Sequence, residues 1–385
     1  MNLAVVLIAI CSGIVGVSYG MHSPIVPVFA REQLAAEYSQ VGLIGTVNYL
    51  PFMFAPFVVG ILLDRFNKSY VLLSGILLNV ISIFLLSIVQ SILEIMLYRA
   101  LTGVAHALFW PSCEVLISIN SATDRRVKNI SVFIGAWILG FIVGPTIGKQ
   151  ILNVSDYYAL FQLAAVIMAV GIVPSVLLRS FGWPAVQKDL EVRANSVKLA
   201  KEMATHPTLA GVILYYAMTF GVVLAVYPAY MSDASLTNQD IELMYFVFGI
   251  SRLVTLLLLV TRISKYDVPA LALAVLTTAV GMIISFSSRS ILSFTASIAL
   301  FGLSTSIFYP VSFRLVTMNT PSGHLGSKLG VYNTLFFGAG WMAGPIAAGF
   351  ASDVFGSGSP YLAFSIIGGM FVAAITIFGK GSNHF

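Results

Sequence analysis

The sequence predicts an all-α membrane protein of twelve transmembrane helices, arranged as two pseudo-symmetric six-helix bundles. Three observations predict it. Hydrophobic residues make up 58% of the 385 residues and charged residues 9%, and the mean hydropathy is +0.94. A water-soluble chain carries roughly a quarter charged residues, so this one cannot cover itself with a solvated surface. Apolar runs of about 18 residues or more, long enough to cross a bilayer, recur along the whole length. Finally, GFIVGP at 140–145 returns as GWMAGP at 340–345, which reads as one unit duplicated. Duplicated membrane halves are the usual architecture of transporters that move around a central site.

The spans fall at 3–29, 39–63, 69–90, 92–119, 127–151, 157–179, 208–231, 240–262, 267–288, 290–318, 326–352 and 359–379. The first lacks a basic leader and a small-residue cleavage site, so it reads as a retained span rather than a signal peptide. The polar stretch 181–207 interrupts the apolar rhythm and divides the chain into bundles at 1–180 and 208–385. Its Val186, Leu190, Val197 and Leu199 fit either a short helix on the membrane surface or a plain cytoplasmic linker.

With the N-terminus in the cytoplasm, the inner connections collect Arg65, Lys68, Arg125, Arg126, Lys128 and Arg179, among others. The outer segments keep Arg31, Lys149 and Arg289. That is the positive-inside bias, and it predicts both termini in the cytoplasm of a cell-membrane protein. The net charge of +5 is therefore a topology signal rather than a nucleic-acid surface. Cys11 and Cys113 both fall inside spans and suggest no disulfide framework. No metal-ligand spacing and no phosphate-cradling Gly-Lys-Ser/Thr run occurs, so neither a cofactor nor ATP-driven pumping is expected. GVSYG at 16–20 spells a serine-hydrolase elbow, but that motif needs a strand–turn–helix setting and this one lies in an apolar helix. No catalytic constellation appears, and the chain is not read as an enzyme.

The two halves correspond at further places. LFWP at 108–111 matches IFYP at 307–310, which sets Gly103 opposite Gly302. Prolines within spans mark bends where backbone groups are freed toward a cavity.

These residues resemble the major facilitator superfamily over nearly the whole chain. GILLDRFNKS at 60–69 is similar to the family's loop signature through Gly60, Asp64 and Arg65, with Asn67 where a second glycine is usual. Arg99 and Gly103 match the fourth-span Arg-x-x-x-Gly pattern. GFIVGPTIG at 140–148 resembles the fifth-span signature of drug:proton antiporters, with Lys149 in place of a further glycine. The resemblance implies that Asp64 and Arg65 latch the cytoplasmic side. It also implies that Gly140, Gly144, Pro145 and their repeats Gly340, Gly344, Pro345 form a sliding contact between bundles, and that the fourth span lines the cavity.

In that span Arg99, Gly103, His106, Trp110 and Glu114 are spaced four, three, four and four residues apart and share one helical face. An ionisable group inside a span is costly unless paired or wet, so it marks function by default. Glu114, His106 and Arg99 are read as the proton-coupling set, with Glu114 alternating between a protonated state and an ion pair with Arg314 or Arg99. The plainer reading leaves Arg99 bonding backbone and Glu114 neutralising an arginine. Embedded Arg252 and Arg314 add positive charge, which points to an anionic or neutral cargo. His22, Asn48, Tyr49, Trp110, Tyr215, Tyr227, Tyr309 and Asn333 supply the polar and aromatic contacts of the substrate site.

Secondary active transport follows, first as proton-coupled export of a small organic molecule by a monomer in the lipid bilayer. Two alternatives stand beside it: uptake of an organic anion or sugar, and a non-transporting sensor on the same scaffold.

Overall fold

The computed structural model describes residues 2–121, 125–181, 207–258, 267–317, 332, 334 and 338–378. Side chains at 55–58, 60, 61, 64, 126, 127, 180 and 317 are excepted. The helices are α1 (Leu3–His22), α2 (Ile25–Leu34), α3 (Tyr38–Arg65), α4 (Lys68–Leu86), α5 (Ile92–Ile119), α6 (Arg126–Val154), α7 (Tyr157–Val170) and α8 (Ile172–Leu177). They continue with α9 (Pro207–Ala225), α10 (Tyr227–Asp233), α11 (Asn238–Leu258), α12 (Asp267–Ser287), α13 (Ile291–Thr317), α14 (Ala339–Phe355) and α15 (Ser359–Phe378). No strand occurs among the described residues.

Each of the twelve predicted spans has a helix at its place. Ten described helices are long and apolar enough to cross a membrane. The remaining two are α3, 28 residues long, and α14, 17 residues long as described. Large apolar side chains such as Ile81, Leu93, Val154, Leu257 and Met370 lie exposed, which suits contact with lipid rather than water.

Three predicted single helices are broken. The first span stops at His22 and restarts at Ile25 around Pro24, which has no amide hydrogen to continue the ladder. The seventh breaks at Val226, just before Pro228, and the sixth at Gly171. Pro111, Pro145, Pro310 and Pro345 instead remain inside continuous helices.

The chain clusters into two compact units. One holds Met1–Ala36, Val47–Lys188 and Thr237–Phe246; the other holds Glu37–Thr46, Asp189–Leu236 and Val247–Phe385. The first turns of α3 and α11 thus belong to a different unit from the rest of those helices, a detail a simple cut of the sequence lacks. The linker at 182–206 lies outside the described residues.

Within the first unit α1 packs along α6, and α4 along α5 and α7; within the second, α9 packs along α14, and α12 along α13 and α15. The duplicated glycine motifs account for the two equivalent seams. A Cβ at Gly140 or Gly144 would collide with the Gly13 or Val17 carbonyl of α1. Gly20 on α1 answers them, where a Cβ would come within 2.7 Å of the Phe141 carbonyl. In the other unit Gly344 sits on the Met218 carbonyl and Gly340 on Ala217, both on α9. Small residues let membrane helices approach backbone to backbone. The seam that the glycines of each motif build lies inside its own unit. The GVSYG run supplies Gly16 and Gly20 to that seam, as helix-packing residues.

Candidate functional site

The first unit contains a buried polar cluster drawn from α1, α3 and α5. Arg99 and His106 stand two turns apart on α5, 4% and 5% exposed, and His22 ends α1 at 0%. Asn48 and Tyr49 come from α3, and Tyr19 from α1. Arg99 lies within electrostatic reach of both His22 and His106. The Tyr19 ring is 5.1 Å from His106 and 5.7 Å from His22, centre to centre, and its hydroxyl bonds Tyr49. Gly103 makes the cluster possible, because it seats α5 directly on the Asn48 carbonyl where a side chain would collide.

Much of this cluster's hydrogen-bonding capacity is unused. His22 Nδ1 donates to the Ser18 carbonyl at 2.6 Å, which leaves Nε2 as the free ring nitrogen. His22 Nε2, His106 Nε2, Arg99 Nε and Nη1, and both amide atoms of Asn48 are buried with no hydrogen-bond partner among the described residues. Arg99 makes no ion pair among the described residues. Buried polar groups are nearly always satisfied, and an unsatisfied charged donor is costlier still. Several orphans on facing helices therefore mark a place made for a ligand or for water.

An aromatic wall adjoins the cluster. Trp110 packs edge-on against Trp137 at 5.7 Å, Trp137 stacks on Phe141 at 5.3 Å, and Phe141 reaches Tyr19 at 6.2 Å. Trp137 was not among the residues singled out in the sequence; its spacing one turn before Phe141 on the glycine-motif helix was the available signal.

The other predicted residues separate by role. Glu114 continues the Arg99–His106 face of α5 but is exposed, and it makes no ion pair among the described residues. The expected Arg99–Glu114 pair does not form, because the carboxyl stands fifteen positions, about four turns, along α5. Arg314 is 54% exposed and bridges Asp267 at 3.4 Å, which closes the start of α12 against the end of α13. Tyr215 and Tyr227 are committed to packing, the former donating to the Phe364 carbonyl at 3.0 Å and the latter bonding Ser297 at 2.9 Å. In the second unit Arg252 is half-buried within electrostatic reach of Tyr216 and Tyr309, and Tyr309 is 40% exposed. Tyr216, Phe220, Thr278, Phe301 and Thr305 line a small cleft beside them. Gly60 and Asp64 lie on the last turns of α3 with their surroundings undescribed, and Arg65 there is exposed. Asn333 lies outside the described residues.

The sequence missed Glu242. It stands in the second turn of α11, fully buried, with both carboxyl oxygens unpartnered among the described residues. Its place near the start of an apolar run made it look like an end-of-span acid.

A polar cluster buried among membrane-spanning helices, on a two-unit all-α scaffold, defines a multi-pass integral membrane transporter. The chain belongs to the Major Facilitator Superfamily, whose model matches residues 8–266 and 208–381. It is 22% identical over 377 residues to the MFS-type transporter MJ1560 of Methanocaldococcus jannaschii, covering 96% of each chain. It is 26% identical over 159 residues to the quinolone resistance protein NorA of Staphylococcus aureus, covering 41% of this chain and 40% of that one. Among solved structures, the nucleoside transporter NupG superposes with a TM-score of 0.83 at 14% identity, over 99% of this chain and 100% of that one. A POT family transporter in complex with 5-aminolevulinic acid superposes at 0.82 and 12% identity, over 98% and 96%.

Proposed function

We propose that the protein is a secondary active transporter of the cell membrane that exports a small organic molecule, anionic or neutral, in exchange for protons. The carrying observation is the donor-rich cluster of Arg99, His22, His106 and Asn48, with its nitrogens unpartnered and no carboxylate paired to the arginine among the described residues. A carboxylate is the natural guest, since a guanidinium matches it with two parallel charge-assisted hydrogen bonds. A cationic guest would bring like charge beside a buried arginine, which is repulsive at close range. The Trp110–Trp137–Phe141 wall suits the apolar body of an amphiphile.

Export is supported by the relative named for quinolone resistance, and the positive-inside bias supports cytoplasmic termini. The halves 1–180 and 208–385 alternate access as monomeric, pseudo-symmetric bundles joined through 181–207. Gly60, Asp64 and Arg65 latch the cytoplasmic side, and Arg252 and Tyr309 offer polar contacts within the second unit. Arg99, His106 and Glu114 form the polar face along which cargo moves.

The test is flux in proteoliposomes holding the full chain under an imposed pH gradient, with matched aromatic carboxylates, neutral analogues and cations. Carboxylates are expected to move against their gradient as protons run down theirs. A preference for cations overturns the cargo class, flux indifferent to pH overturns the coupling, and binding without flux turns the protein into a sensor.

A further inference from the structure

We propose that the carboxyl of Glu242 is the coupling-ion site of this transporter and that its ligand is a single proton. The inference rests on the transport reading and gives its coupling ion a residue.

Glu242 is fully buried in an apolar span, and neither oxygen meets a donor or a cation among the described residues. Its seat is built from the first unit. Its Oε1 occupies the room that a Cβ on Gly148 would take, and Met21 of α1 closes the same spot. The glycine repeat thus leaves space for a carboxyl and supplies nothing to neutralise it. A buried carboxylate without a partner is among the most expensive groups a membrane protein can carry.

Packing does not require the acid. By the 200-residue offset of the glycine motifs, Gly42 on α3 is the counterpart of Glu242 on α11. Gly42 packs its backbone directly onto the Pro345 carbonyl and Gly349, with no side chain at all. The same kind of contact closes with a glycine in one half and a carboxyl in the other, so the carboxyl is there for its charge.

The surrounding groups leave the proton as ligand. Lys149 follows Gly148 and His22 follows Met21, while Asp240 and Tyr245 flank Glu242 on α11. None of them bonds the carboxyl. One turn earlier, Asn238 donates to the Tyr157 hydroxyl at 2.6 Å, and that hydroxyl donates to exposed Glu32. This hydrogen-bonded row runs from the surface to the turn below Glu242. A hard metal cation takes about six oxygen ligands, and Gly148 and Met21 offer no side-chain oxygen. The step is proton transfer alone: an O–H bond forms on Glu242 as one breaks in hydronium, and the reverse returns it.

Infrared difference spectra of the full chain in lipid nanodiscs, titrated with acid, read the site without any cargo. The carbonyl-stretch band of an isolated protonated carboxyl should appear as pH falls, vanish in Glu242→Gln, move in Glu242→Asp and persist in Glu114→Gln. The site is overturned if the band is untouched in both Glu242 variants, stays invariant across the titration, or is displaced by sodium chloride at fixed pH. The aspartate variant keeps the test decisive should the glutamine variant fail to fold. A titrating band beside absent flux would sink the transport reading and leave the site standing.

Discussion

The carboxylate of Asp353 accepts the backbone amide of Tyr38 at 3.0 Å and, through its other oxygen, that of Ser39 at 2.7 Å. A residue 315 positions away therefore caps the first turn of α3, where the orphan amides of a helix start need acceptors and favour negative charge. Asp353→Ala should lower the thermal midpoint by the equivalent of about 1 kcal/mol, the usual worth of an N-cap. Asp353→Asn should retain part of it. An unchanged unfolding curve for the alanine variant would remove the cap from the account.

Ala35 and Ser235 are the two described non-glycine residues with positive φ, at 50° and 69°. They follow α2 and α10, at equivalent places in the two halves. Left-handed backbone costs an L-residue about 1–2 kcal/mol, and glycine escapes it while loosening the unfolded chain by roughly 0.5–1 kcal/mol. Ala35→Gly and Ser235→Gly should each leave thermal stability unchanged or raised by up to about 1 kcal/mol. A clear loss in both would contradict this backbone reading.

Gly144 and Gly135 lie on the same helix and predict opposite outcomes. A Cβ at Gly144 meets the Val17 carbonyl, a backbone atom that cannot step aside, whereas one at Gly135 meets nothing within 4 Å. Gly144→Ala should reduce folded yield in detergent severely, and Gly135→Ala should match the parent. Comparable size-exclusion profiles for the two would refute the seam.

Arg99→Met separates stability from recognition. Replacing a buried, unpartnered charge by an apolar chain of similar volume is often neutral or stabilising. The ligand-free thermal midpoint should hold or rise, while stabilisation by aromatic carboxylates should fall at least about tenfold in apparent affinity, near 1.4 kcal/mol. Undiminished carboxylate binding would remove Arg99 from the site.

Arg314 makes a weaker claim on stability. Its 54% exposure leaves the pair with Asp267 open to screening, and such pairs contribute below about 1 kcal/mol. A double-mutant cycle with Arg314→Ala and Asp267→Asn should return a coupling under that value. A coupling several-fold larger would mean that the pair anchors α12 to α13.

Most of the helices were legible in the sequence, because apolar runs and proline positions act locally. Ile92–Ile119 has the expected bounds, and Ser91 caps its start by accepting the Glu94 amide at 3.3 Å. Arg99, His22, His106, Asn48 and Tyr49 were legible there too, since embedded polar groups stand out against an apolar background. Their convergence was not legible, because it depends on Gly103 seating α5 against Asn48. Glu242 escaped notice for a related reason. Distance from a span's end said little about burial, which depended on Gly148 94 positions away.

What the amino-acid order determined alone is the chain's commitment to the membrane, the positions of its helices and its internal duplication. Each of these follows from hydropathy and local backbone preference. Only the tertiary structure decided which polar atoms lack partners and which do not, since that depends on what neighbouring helices supply. Arg314 meets Asp267, whereas Arg99 and Glu242 meet no countercharge among the described residues. A buried charge acquires its meaning from its neighbours, and neighbours are what packing chooses.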